Sequence, residues 1–183
     1  MKNNQLGRSM IEMLGVLAII GVLSVGGLEM MTKSRRSSQT SELISGVSSM
    51  ANYLMQNRKY ANEITSSSGY NGDCVKFLKQ IGKIPTGFTY NSGAFNTKIG
   101  ASVTATASGD GNFVISVSGV DRETCIKTAA NAWGSRNTNR FLGVSVGDAE
   151  NFGTAASSSL DIAGATTACS SATSNTINLG YRF

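Results

Sequence analysis

The chain has 183 residues, with 16 Lys and Arg against 11 Asp and Glu, a net charge of +5, 40% hydrophobic residues and no histidine. That length suits one domain plus an N-terminal segment, with enough apolar content to furnish a core. Without histidine a nucleophile–His dyad is excluded and a zinc site is disfavoured, while dispersed charges without a Lys/Arg stripe interleaved with aromatics argue against nucleic acid as a partner.

From Met10 to Leu28 only Glu12 is charged. As a helix these residues would reach roughly 28 Å, close to the hydrocarbon thickness of a bilayer. A carboxylate within such a run is costly and marks function, so Glu12 needs a partner. Lys33, Arg35 and Arg36 after the run rival Lys2 and Arg8 before it, so the positive-inside count does not choose an orientation. An ordinary secretory signal fits poorly, because the run is long, starts with Glu12 and has no small-residue cleavage site directly after it.

Gly7, Arg8, Glu12 and the apolar run together resemble the class III signal of bacterial type IV prepilins, in which a short basic leader ends in Gly and a Glu is the fifth mature residue. By that resemblance the leader is Met1 to Gly7, a prepilin peptidase cuts after Gly7, and Arg8 becomes the N-methylated mature end. Subunit assembly then falls to Arg8 and Glu12. The family usually has Phe, Met or another apolar residue where this chain has Arg8. Loss of the leader with Lys2 leaves 15 − 11 = +4.

Past the apolar run, Leu43, Ile44, Val47, Met50, Ala51, Leu54 and Met55 recur at the spacing of one helix face. One helix from Ser9 to about Arg58 is expected, roughly 75 Å long, apolar all round in its first half and amphipathic in its second. Gly26-Gly27 is its expected weak point. The body begins near Lys59-Tyr60, and Ser66-Ser67-Ser68-Gly69 marks a loop. Cys74, Phe77, Leu78 and Ile81 are expected on the buried face of a short helix ended by Gly82 and Pro85, with Cys74 a buried free thiol.

Ser102 to Ala107 alternates weakly. After the turn Gly109-Asp110-Gly111, Phe113, Ile115 and Val117 alternate as a half-buried strand. Asp121 can cap a helix carrying Cys125, Ile126, Ala129, Ala130 and Trp133. Arg140 to Val146 reads as a further strand. Thr154 to Asn175, rich in Ser, Thr, Ala and Gly, has little to bury and is expected to be mobile on its own. Ile177, Leu179, Tyr181 and Phe183 alternate with Asn178, Gly180 and Arg182 as a strand closing the sheet.

Cys74, Cys125 and Cys169 lack C-x-x-C spacing, and outside the cytoplasm they allow one disulfide and one odd thiol. The carboxylates Asp110, Asp121, Glu123, Asp148, Glu150 and Asp161 are scattered singly, mostly at turn or cap positions. A Gly-rich phosphate loop is absent. No catalytic, metal or cofactor-binding residues are assigned, and no cofactor and no enzymatic activity are expected.

The body from Gly72 to Trp133, with Ile84-Pro85, the run Asn112 to Val120 and Cys125 four residues after Asp121, resembles the PilS-like group of type IVb pilins. That resemblance implies a Cys125–Cys169 disulfide enclosing a variable, surface-exposed segment. It also implies an α+β fold in which a long N-terminal α-helix packs on a C-terminal antiparallel β-sheet domain, the type IV pilin fold. The expected organisation is a leader at 1–7, the long helix at 8–59 with its membrane or filament-core part at 8–31, and a globular head at 60–183.

The function expected is that of a structural subunit of a type IVb pilus. It is made as a single-pass inner-membrane prepilin with its head in the periplasm and polymerised by inner-membrane assembly machinery. The product is an extracellular homopolymeric filament whose Ser/Thr-rich coat serves adhesion or self-association. A type II secretion pseudopilin, a minor pilin, a DNA-uptake pilin and a monomeric membrane-anchored binding module are the alternatives.

Overall fold

The computed structural model describes residues 5–133, 140–147 and 160–183, with backbone alone for 5–12 and 18–30. The chain divides into two compact units, Met1–Ser38 and Gln39–Phe183. Helix α1 runs over Gln5–Gln56, through Gly26-Gly27. Its end is satisfied locally: the Asn57 side-chain amide donates to the Tyr53 carbonyl at 2.8 Å.

Within the second unit, Leu43, Val47, Met50, Ala51 and Leu54 of α1 are almost wholly buried. Their spacing of three and four residues puts them on one helix face, and each large apolar side chain buried there contributes roughly 1.5–3 kcal/mol. Gly46 lies on the same stretch, where a Cβ would stand 2.4 Å from the Phe88 ring. Only glycine lets Phe88 sit directly on the helix backbone.

A 3-10 turn at Arg58–Tyr60 leads to α2 (Ala61–Ser66) and α3 (Cys74–Gln80). Asp73 caps α3 by accepting from the Lys76 amide at 2.9 Å. Six strands follow, interrupted by α4 (Arg122–Ala129) and α5 (Ile162–Ala168): β1 Thr89–Asn91, β2 Ala94–Asn96, β3 Ser102–Ala107, β4 Asn112–Val120, β5 Phe141–Val146 and β6 Asn175–Arg182. They form one antiparallel sheet in the order β1-β2-β3-β4-β6-β5.

The period-two pattern decides which face of the sheet is core. Phe113, Ile115 and Val117 of β4 lie buried beside Tyr181, Leu179 and Ile177 of β6, in direct register. Phe113 stacks on Tyr181 at 5.5 Å between ring centroids and meets Phe183 at 4.8 Å. The resulting α+β architecture, an N-terminal helix packed on a six-stranded antiparallel sheet, is the one expected from sequence.

Several local expectations need correction. The C-terminal strand does not close the sheet; β6 is central, between β4 and β5, and β5 takes the edge. Centrality buries Asn178 as well, and its amide links both neighbours: it accepts from the Ser116 hydroxyl at 2.7 Å and donates to the Gly147 carbonyl at 2.9 Å. Ile81 is not on the buried face of α3 but 37% exposed, because the helix ends at Gln80 and Val75 takes the inward position instead. Trp133 lies beyond the end of α4 and returns to it, its indole N–H donating to the Thr128 carbonyl at 2.7 Å.

Two elements go beyond the sequence reading. Helix α2 is one short turn-and-a-half with Ile64 inward. Strands β1 and β2 form a hairpin whose two-residue turn, Ser92-Gly93, has positive φ at both positions. Ser-Gly between Tyr90-Asn91 and Ala94-Phe95 was the available signal for it.

Candidate functional site

Gly7, Arg8 and Glu12 lie on helix α1, and their side chains fall outside the described residues. The residues that follow are described: Met13, Leu14, Val16 and Leu17 are 70%, 64%, 57% and 62% exposed. A helix apolar on every side, with no core of its own, requires either lipid or other helices around it. Among the described residues no helix is long and apolar enough to cross a membrane; the expected span from Met10 to Leu28 falls largely on residues whose side chains are not described.

The second feature lies in the head. Cys125 on α4 and Cys169 at the end of α5 form a disulfide, with Cα atoms 5.9 Å apart and a sequence separation of 44. Each helix is started by an aspartate. Asp121 accepts from the Thr124 amide at 2.8 Å, and Asp161 from the Gly164 amide at 2.7 Å.

Beyond the bond, Asn175 ties the returning chain down. Its amide donates to the Val120 carbonyl at 3.2 Å and the Ser171 carbonyl at 2.8 Å, while its oxygen accepts from the Ser171 amide at 3.1 Å. The Arg122 amide adds a bond to the Ala172 carbonyl at 3.4 Å.

These contacts hold in place part of Thr154 to Asn175, the segment expected to be mobile only on its own. From Leu160 onward the segment contains a capped helix with Ala165 fully buried, followed by a hydrogen-bonded loop; residues 154–159 lie outside the described residues. The segment has few large apolar groups, as its composition implies, and one buried alanine, one cap and one covalent bond supply what it lacks. Asn175 is the residue whose importance the sequence reading missed, since a lone Asn in a polar stretch carries no pattern.

Cys74 is free and fully buried. Burial, and secondarily the charge of Asp73, push its thiol up to about 12. It therefore remains protonated and poorly nucleophilic at physiological pH, and it stays apart from the disulfide. Burial also raises the Tyr181 phenol.

Beside α1, a groove of about 480 Å3 is lined by neutral groups, among them Ser41, Ser45, Ser48, Asn52, Trp133 and Tyr181. Among the described residues no cluster of three His, Cys, Asp or Glu side chains could hold a metal ion.

Three lysines lie against aromatic rings. Lys59, Lys79 and Lys83 stand over the rings of Tyr60, Tyr90 and Tyr53, at 4.8, 5.3 and 5.7 Å from their centroids.

A helix laid on an antiparallel sheet, with a disulfide closing the region before the central C-terminal strand, defines a pilin-like structural protein. The chain matches the family described as PilS N terminal over residues 37–181, and it belongs to that family. No curated protein matches it.

Proposed function

We propose that this chain is the structural subunit of a type IVb pilus, polymerising through its N-terminal helix into an extracellular filament. The observation that carries the reading is the exposure of Met13, Leu14, Val16 and Leu17 on a helix that continues into a pilin-family head. Apolar helices of this kind gain by bundling with their own copies, first in the inner membrane and then in a filament core. On this reading a prepilin peptidase removes residues 1–7 after Gly7. Arg8 is then the mature end and the site of N-methylation, and inner-membrane machinery adds subunits one at a time.

Glu12 supplies the register. The amine freed at Arg8 of an incoming subunit meets the Glu12 carboxylate of one already in place. Within one helix the two lie about 6 Å apart axially, so an internal pairing competes. An unpaired carboxylate among apolar helices costs several kcal/mol, and misregistered docking is disfavoured by that amount. The head supplies the coat for adhesion or self-association, with no catalytic role.

Glu12→Ala, as the only copy, is expected to be inserted and cleaved yet to yield few or no fibres on shearing and electron microscopy, with Glu12→Asp impaired less. Normal fibre yield from Glu12→Ala would refute the assembly role. A pseudopilin or minor-pilin role is separated by abundance in isolated fibres.

A further inference from the structure

We infer that the C-terminal end of α3 is a docking surface for an anionic lipid bilayer, formed by lysines set around two exposed isoleucines. The helix ends in a double cap: the Gly82 amide donates to the Lys79 carbonyl at 3.2 Å and the Lys83 amide to the Leu78 carbonyl at 2.9 Å, with Gly82 at φ +70. In such caps the residue after the glycine usually packs an apolar side chain back onto the helix. Here that position is Lys83, and Ile81 and Ile84 on either side are 37% and 43% exposed. The cap thus leaves part of each of two apolar side chains open to water, with a lysine between them.

Two lysines stand beside the isoleucines, and the Glu42 carboxylate that lies against nearby Gly87 is paired with Lys98. Lys79 is held over Tyr90 and Lys83 over Tyr53. The ion pairs Lys98–Glu42 and Lys127–Glu123 use other lysines.

Duplex nucleic acid would engage the lysines but has no use for Ile81 and Ile84 on a hydrated phosphate backbone. A bilayer surface uses both: phosphate headgroups meet the ammonium groups, the isoleucines enter the acyl boundary, and the tyrosines suit the headgroup level. All the residues belong to the unit Gln39–Phe183, so the inference does not depend on filament assembly.

The test is flotation of the full-length protein, held in phosphatidylcholine nanodiscs, with vesicles of phosphatidylcholine alone or phosphatidylcholine containing phosphatidylglycerol. Binding is expected only to the anionic vesicles. Lys79→Ala/Lys83→Ala should weaken it about 25-fold, at about fivefold per lysine, and Ile81→Ser/Ile84→Ser about tenfold. Circular dichroism melts of both variants should match the parent, since all four side chains are exposed.

Equal binding to neutral vesicles, or unchanged binding by either variant, would overturn the proposal. So would duplex DNA binding that the isoleucine variant retains in full while no vesicle is bound, an outcome that reassigns the lysines to nucleic acid.

Discussion

Cys74 shows how burial alone sets the chemistry of a residue. In the unfolded chain its thiol ionises near the ordinary value of 9.0, whereas in the fold it is held to about 12. Above pH 9 the unfolded state therefore releases a proton that the folded state keeps, and stability falls as pH rises toward 12. The contribution is present in full below pH 9 and is lost at about 1 kcal/mol per pH unit across that window. Tyr181, also raised by burial, steepens the loss above 10. Urea midpoints at pH 8 and pH 10.5 are expected to differ less in Cys74→Ala than in the parent chain. An equal alkaline slope in the two proteins would show that the thiol is not protected by the core.

At the scale of elements, the disulfide and α5 depend on each other. Helix α5 has seven residues and one fully buried side chain, too little to hold itself. The bond from Cys169 to Cys125 closes a loop with a separation of 44, which stabilises the fold by roughly 4 kcal/mol on the chain-entropy estimate. In Cys125→Ser, native-state hydrogen exchange should show α5 losing protection well before β4 and β6, whose ladder spans Asn112↔Arg182 to Val120↔Asn175 independently of the bond. Protection of α5 equal to that in the parent would mean that the Asp161 cap and the Asn175 hydrogen bonds hold it unaided.

For the whole molecule, the division at Ser38/Gln39 separates what a single chain can satisfy from what it cannot. The second unit buries most of its large apolar residues internally, while the first presents Met13, Leu14, Val16 and Leu17 outward. If removal of the leader is the step that commits the chain to assembly, Gly7→Val should block it, because a branched side chain replaces the one residue that lets a protease close around the backbone. Mass spectrometry of the membrane fraction is then expected to find the chain still beginning at Met1. A Gly7→Val protein that starts at Arg8 would place the cleavage signal elsewhere.

Local periodicity was sufficient for the elements that have one. The three- and four-residue spacing from Leu43 to Leu54 specified the buried face of α1, and alternation specified β4 and β6, because each pattern depends only on which side chains share a face of a regular backbone. The aspartate caps at Asp121 and Asp161 were equally local in their geometry, although only the first stood out against its surroundings.

Strand order was not legible in this way. Whether β6 lies at the edge or the centre depends on β5 pairing with it across the 28 residues 147–174, a long-range closure that leaves no mark on the spacing of either strand. The same holds for Lys79 with Tyr90 and Lys83 with Tyr53, which meet only in the folded chain. Sequence by itself determined the helix face, the strand faces and the apolar N-terminal run, all set by nearest neighbours along the chain. Tertiary structure alone decided the central place of β6, the ordering of α5 and the seating of Lys79 on Tyr90 and of Lys83 on Tyr53, since these follow from contacts between residues that the chain keeps far apart.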